Sequence, residues 1–222
     1  GNYAYSQAIK VYLAFLVDQL VHHCSSACTW HTGNSQLRNI FHTPTISTAW
    51  DFAEINPFSG RTGSFKSMLK GMIGSFATLG SQDIIPKVIC GDAVDLEYDE
   101  ETVISTDPPY YDTIGYADLS DFFYPWMKKC IKDIYPDIFG LSATPKTDEL
   151  VVDAKRHKSK NKSDELFIEG MSKVITNMAV HSSKNFPACI YYAYKSSDKK
   201  KEGISAPGWV SFLTAIIASG YS

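Results

Sequence analysis

The sequence predicts a mixed α/β protein: a mostly parallel sheet with helices against it, preceded by a mainly helical N-terminal region. Two observations carry this reading. From residue 87 onward, short β-branched or aromatic runs alternate with helical ones, the order that builds a parallel α/β sheet. Residues 1–86 carry helical patterning instead. The chain has 222 residues, 44% hydrophobic and 20% charged, enough for a core of real size.

The elements follow in order. SQAIKVYLAFLVDQLVHH (6–23) has apolar residues at helical spacing and no breaker, so it predicts a long core helix. FKSMLKGMIGSFATL (65–79) puts Phe65, Met68, Leu69, Met72, Ile73 and Phe76 on one face, a helix weakened by Gly71 and Gly74. KVICGDA (87–93) reads as a strand ending in a turn, and TVISTDPP (102–109) as another. LSDFFYPWMKKCI (119–131) is helical, with Ser120 as its expected N-cap and Pro125 expected to kink it early. SDELFIEGMSKVITNMAV (163–180) is a long helix and PACIYYAYK (187–195) a strand. PGWVSFLTAIIASG (207–220) is a final helix, with proline near its start and glycine at its end.

Composition narrows the function classes. No apolar stretch approaches the ~18 residues that a membrane span needs, and no signal peptide is visible. Five cysteines, an odd number and widely scattered, suit reduced thiols in a cytoplasmic protein rather than a disulfide framework. The formal net charge of −3 carries no global nucleic-acid signature. Locally, AKRHKSKNKSDE (154–165) holds five Lys/Arg, and KSSDKKKEG (195–203) is a second basic turn. Each reads either as a solvated, mobile loop or as a segment that orders along phosphates.

Two stretches suggest chemistry and then lose the argument. HHCSSACTWH (22–31) brings Cys24, Cys28 and His31 near one another, but the spacing matches no usual zinc knuckle, so it reads as a helix end with thiols and no metal is expected. INPFSGRTGSF (55–65) has glycines spaced G-x-x-G without a β-branched feeding strand, so it reads as an ordinary loop before a helix.

DPPYYDTIGYADLSDFFY (107–124) is different. A strand that ends in Asp-Pro-Pro-Tyr brings four things together. Asp107 is a carboxylate acceptor, and Pro108 offers a main-chain carbonyl. Pro109 stiffens the turn, and Tyr110 gives an aromatic face on which a planar base can stack. That set suits an exocyclic amine on a flat heterocycle. Two acceptors take the amine hydrogens and free the nitrogen lone pair toward an electrophile. Such an amine inside duplex DNA is out of reach, so its base must first be flipped out. Open α/β sheets place ligands at the carboxyl ends of strands. Residues 107–110 are therefore expected there, beside the strand holding Ile89 and Cys90 or across a gap from it.

DPPY after a strand resembles the catalytic motif of S-adenosylmethionine-dependent amino-methyltransferases. The longer run resembles the large adenine-specific DNA methylase family whose full-length members also carry a zinc ribbon. Other stretches agree with that family: the helix at 6–23, LRNIFHT (37–43), AWDFAEINPFSG (49–60), GDA (91–93), YPDIFGLSATPKTDELV (135–151), FIEGM (167–171), IYYAYKSSD (190–198) and GWVSFLTAIIASGY (208–221). The chain departs from the family pattern in three ways. Pro125 replaces an aliphatic residue, no glycine-rich cofactor loop of the form D-P-F-x-G-x-G is present, and the zinc-ribbon cysteine pairs are missing.

The resemblance implies a Rossmann-like S-adenosylmethionine-dependent methyltransferase sheet, incomplete, with the catalytic α/β part at 87–222 after the helical region at 1–86. It implies an internal fragment of a larger methylase, inactive by itself, with DNA as partner and S-adenosyl-L-methionine as cofactor, held weakly or not at all by these residues. Asp107, Pro108 and Tyr110 would hold the target base, and Pro109 would shape the loop. Asp92 would accept from the cofactor's adenine amine, with Ala93 lining that pocket; Asp92 as a plain turn residue stays open beside this. Tyr111, Asp112, Tyr116 and Asp118 would line the rim. Thr144, Pro145 and Lys146, with Lys155 and Arg156 of the basic loop, would touch substrate. The reaction implied is methylation of adenine N6 in DNA. Cytosine N4, an RNA-base amine and a non-catalytic nucleic-acid-binding module are the alternatives.

Overall fold

The computed structural model describes residues 2–43, 45–46, 48–78, 86–99, 101–193 and 207–221. The basic turn at 195–203 lies outside the described residues. Among those described, the fold is mixed α/β, with five helices and two two-stranded sheets. The chain divides into two compact units: Gly1–Ile85 with Tyr116–Thr147, and Pro86–Gly115 with Asp148–Ser222.

In the first unit, the unbroken apolar run near the N-terminus forms α1 (Asn2–His23). Thr29–His31 (β1) and Gln36–Arg38 (β2) follow as an antiparallel hairpin that the sequence reading did not contain. Its signal is the turn-forming T-G-N-S at 32–35 between two very short runs. The loop at 55–64 prepares α2 (Phe65–Phe76). Gly60 and Gly63 take positive φ, and the Ser64 side chain accepts from the Ser67 N–H as an N-cap. A Cβ at Gly63 would also meet Ile55 Cδ1 at 3.0 Å.

The next helix, α3 (Tyr116–Ile131), starts earlier than expected, so Ser120 lies inside it and is not its cap. No breaker stands between Gly115 and Pro125, and Asp118 in the first turn suits the helix dipole. Pro125 is accommodated within the helix. Its missing N–H leaves the carbonyl of Asp121 without the usual donor four residues on. α3 packs on α1, burying Tyr124, Met127 and Ile131 with Ala14 and Phe139.

The second unit is built on α4 (Lys160–His181), capped by Ser159, whose side chain accepts from the Lys162 N–H. Phe167, Met171, Val174, Ile175 and Met178 form its buried stripe, and α5 (Pro207–Ala218) packs against it with Phe212 and Ala215. The strand around 102–109 is shorter than its sequence suggests. Only Ser105–Thr106 (β3) pairs in a ladder, parallel to Cys189–Ile190 (β4), after an isolated parallel bridge between Thr102 and Ser182. Residues 87–93 form no strand. Among the described residues, their β-branched side chains have no neighbouring strand to pack on: residues 86–93 are exposed, Val88 at 92%. Five free thiols are present, and no described helix is long and apolar enough to cross a membrane.

Candidate functional site

Asp107 follows directly on β3 and so leaves the sheet at the carboxyl end of a parallel strand. Its neighbour is β4 and not the segment with Ile89 and Cys90. The ladder runs through Cys189 N–H to Ile104 O (2.9 Å) and Tyr191 N–H to Thr106 O (2.8 Å). By the alternation of a parallel ladder, residue 108 is the next position whose N–H would bond across. As proline it has none, and the main chain turns away.

The two tyrosines of the motif then part. Tyr110 donates its hydroxyl to Asp107 Oδ1 at 2.6 Å, and its ring meets Tyr192 edge-on at 5.8 Å. Tyr192 lies flat on Phe212 (4.1 Å, 12°) and is stacked with Trp209 (5.9 Å, 27°). Tyr111 turns to α4 instead. Its hydroxyl donates to Asp164 Oδ1 at 2.5 Å, its ring sits edge-on to Phe167, and its carbonyl accepts from Val152 N–H. Burial, reinforced by the bond to Asp164 and its charge, pushes the Tyr111 phenol well above its ordinary range. Asp112 is exposed.

Asp92 and Ala93 are exposed on a turn in the same unit. Asp92 Oδ1 accepts from Val94 N–H at 2.9 Å, an Asx turn that leaves its second oxygen available. Asn177 of α4 fastens this turn, donating to the carbonyls of Ala93 (3.2 Å) and Leu96 (3.0 Å). Tyr111 is fastened to the same helix at Asp164, 13 residues (177 − 164) earlier. At 1.5 Å per residue, the two anchor points are ~20 Å apart along α4. Asp92 keeps an acceptor that an adenine amine could use, but the described residues do not assemble a cofactor pocket beside Asp107–Tyr110.

The remaining candidates are engaged locally. Tyr116 and Asp118 form the first turn of α3, in the first unit. There Lys146 Nζ donates to Asp121 Oδ2 at 2.6 Å, and Thr144 gives Asp121 Oδ1 both its N–H (2.8 Å) and its hydroxyl (2.5 Å). Burial raises the Asp121 pKa, but the bonds from Lys146 and Thr144 outweigh it and hold it at about 2. In the second unit, Arg156 is paired with Glu149 (2.5 Å) and Asp153 (3.6 Å), with its side chain only 15% exposed. Lys155 is exposed. The basic stretch runs through a turn with Lys158 at positive φ into the first turn of α4 from Lys160.

The structure thus brings together Asp107–Tyr110 with Tyr192, Trp209 and Phe212, a cluster in which Tyr192 was not singled out by sequence. Its only signal is alternation in IYY, where Tyr191 faces out at 60% exposure and Tyr192 faces in. Cys28 is buried and gives its thiol hydrogen to His22 O, and among the described residues no group of three or more metal-binding side chains occurs. Comparison with family models, curated proteins and solved structures finds no match to the chain.

Proposed function

We propose that these residues carry the target-base pocket of an S-adenosylmethionine-dependent DNA methyltransferase acting on adenine N6, built on a Rossmann-like sheet. One observation supports it above the others: a carboxylate, two prolines and an aromatic ring follow the carboxyl end of a parallel strand, with the ring's hydroxyl bonded to the carboxylate. The reaction class takes its methyl group from S-adenosylmethionine. The part assigned to this chain is the holding of the amine. Asp107 and the Pro108 carbonyl accept its two hydrogens, which localises the nitrogen lone pair and aims it away from the ring plane. Tyr110 stacks on the flipped base, a contact worth about 1–3 kcal/mol. The Tyr110 hydroxyl occupies one Asp107 oxygen, so the incoming amine displaces it or takes the other oxygen.

A second reading has its own support. The Asp92 turn is fastened to the far half of α4, which suits a nucleic-acid-binding module that holds a base without cofactor. The two readings part in one experiment. Single-stranded oligonucleotides carrying adenine, or purine lacking the amine, are titrated against the chain and its Asp107→Ala variant. Adenine is expected to bind about tenfold tighter, the worth of a hydrogen bond to a charged acceptor, and the variant to lose that preference. Tritiated-methyl transfer at millimolar S-adenosylmethionine, followed by nucleoside analysis, then looks for label in N6-methyladenine. Asp107-dependent preference supports the base pocket in either reading. Label in N6-methyladenine, slow where the cofactor is held weakly, assigns that pocket to the methyltransferase, and no label at any cofactor concentration assigns it to the module. Equal binding of both oligonucleotides refutes the base pocket.

A further inference from the structure

We infer that Tyr192 is a positioning residue for Tyr110, setting the plane on which the target base stacks. The inference rests on the base-holding reading above and adds a residue from a different strand to it. Three segments converge on the carboxyl end of the sheet. Tyr110 follows β3, Tyr192 follows β4, and Phe212 projects from α5. The rings form a chain of contacts: Phe212 lies flat under Tyr192 at 4.1 Å, and Tyr192 stands edge-on to Tyr110 at 5.8 Å and 89°. Phe212 is buried, at 3% exposure, and so anchors the series in the core.

A lone tyrosine after two prolines keeps freedom about χ1 and χ2. A ring placed edge-on against one face removes most of that freedom, because aromatic pairs favour such geometries over neighbouring orientations. The Tyr110–Asp107 hydrogen bond fixes the tip of the ring, and Tyr192 fixes its side. Among the described residues the buried Tyr192 hydroxyl makes no hydrogen bond to Tyr110 or Asp107; the polar group acting on it is the Tyr111 main chain. The ring of Tyr192, and not its hydroxyl, therefore carries the role, and phenylalanine should replace it.

The test installs 3-fluorotyrosine at position 110 in the wild-type chain and in Tyr192→Phe and Tyr192→Leu. Leucine keeps apolar bulk but offers no aromatic face. The ¹⁹F shift reads the surroundings of ring 110 without any ligand, and adenine and purine oligonucleotides read base holding separately. Tyr192→Phe is expected to keep the resonance and the adenine affinity. Tyr192→Leu is expected to move the resonance toward that of free fluorotyrosine and to lower adenine affinity about fivefold, the low end of what stacking contributes. If Tyr192→Leu does not fold, Phe212→Leu, which removes the flat stack under an intact Tyr192, is expected to shift the same resonance. An unmoved resonance in the folded variants overturns the inference, as does a Tyr192→Phe variant that behaves like leucine. A moved resonance in a protein that binds both oligonucleotides equally upholds the positioning of Tyr110 and removes the base-holding reading.

Discussion

Asp107 has two partners to serve: the hydroxyl of Tyr110 at 2.6 Å and, on the reading above, an incoming amine that displaces that hydroxyl or takes the other oxygen. A hydrogen bond to a charged acceptor contributes about 1.5–3 kcal/mol, so a hydroxyl already in place competes with the base. Tyr110→Phe keeps the stacking face and removes the competitor. It is expected to raise affinity for the adenine oligonucleotide about threefold, while leaving the purine control unchanged; weaker adenine binding would show the hydroxyl to be part of the recognition. A second carboxylate illustrates the opposite situation. Asp18, in the last third of α1, has Oδ1 buried with no hydrogen-bond partner among the described residues, and burial pushes its pKa from 3.8 up to about 6. Between those values the folded chain holds a proton that the unfolded chain has released. Stability therefore falls as pH rises through that window. Asp18→Asn has no such loss and is expected to be more stable at pH 7 by about 1–2 kcal/mol, after allowance for partial exposure. Urea midpoints at pH 4 and pH 7 for both chains check this: the gap should open only at the higher pH.

The helices were legible in the sequence because apolar side chains recur in them at helical spacing, and that pattern is local information. In the helix beginning at Lys160, Phe167, Met171, Val174, Ile175 and Met178 mark the buried face whatever lies opposite. Strands need a neighbour, and the neighbour is not written nearby. VIC at 88–90 and VIS at 103–105 look alike as sequence, yet only the second lies in a segment that pairs, because Cys189 and Ile190 stand alongside it. The polar clamp at the first unit's third helix was not legible. Lys146 was expected to touch substrate, whereas it donates to Asp121, a residue that nothing in the sequence singled out. That clamp gives a pH dependence of the opposite sign to Asp18. With its pKa lowered from 3.8 to about 2, Asp121 adds stability that is present above pH 4 and lost as pH falls toward 2. Since its side chain is 34% exposed, the contribution is discounted to about 1 kcal/mol. Lys146→Met removes the ion pair and keeps both Thr144 bonds, so its acid limb between pH 4 and 2 should be shallower than wild type. Parallel acid limbs in the two chains would assign the low pKa to Thr144 alone.

On the scale of the whole molecule, packing does not follow chain order. The segment Tyr116–Thr147 belongs with the N-terminal residues, drawn there by the buried face of its helix against Ala14 and by Lys10 bonding Asp133 at 2.7 Å. Local periodicity cannot report such pairings, since they depend on which distant stripe is complementary. The same limitation governs the cofactor question. Sequence places Asp92 and Asp107 only 15 positions (107 − 92) apart and invites one pocket around both. In the fold, the Asp92 turn is held by Asn177 and Tyr111, the residue after the motif, by Asp164, anchor points ~20 Å apart along one helix. A ligand that binds only the native state raises stability by RT ln(1 + [L]/Kd), about 2.7 kcal/mol at one hundred times Kd. With one carboxylate oxygen as the evident acceptor and no pocket assembled beside the motif among the described residues, S-adenosylmethionine at 1–2 mM is expected to leave the melting temperature within about 1 °C of the ligand-free chain. Adenine-containing single-stranded DNA at the same concentration should raise it measurably, and Asp107→Ala should abolish that rise. A rise of several degrees with S-adenosylmethionine that disappears in Asp92→Ala would show that the turn does hold the cofactor and that this helix does not keep the two sites apart.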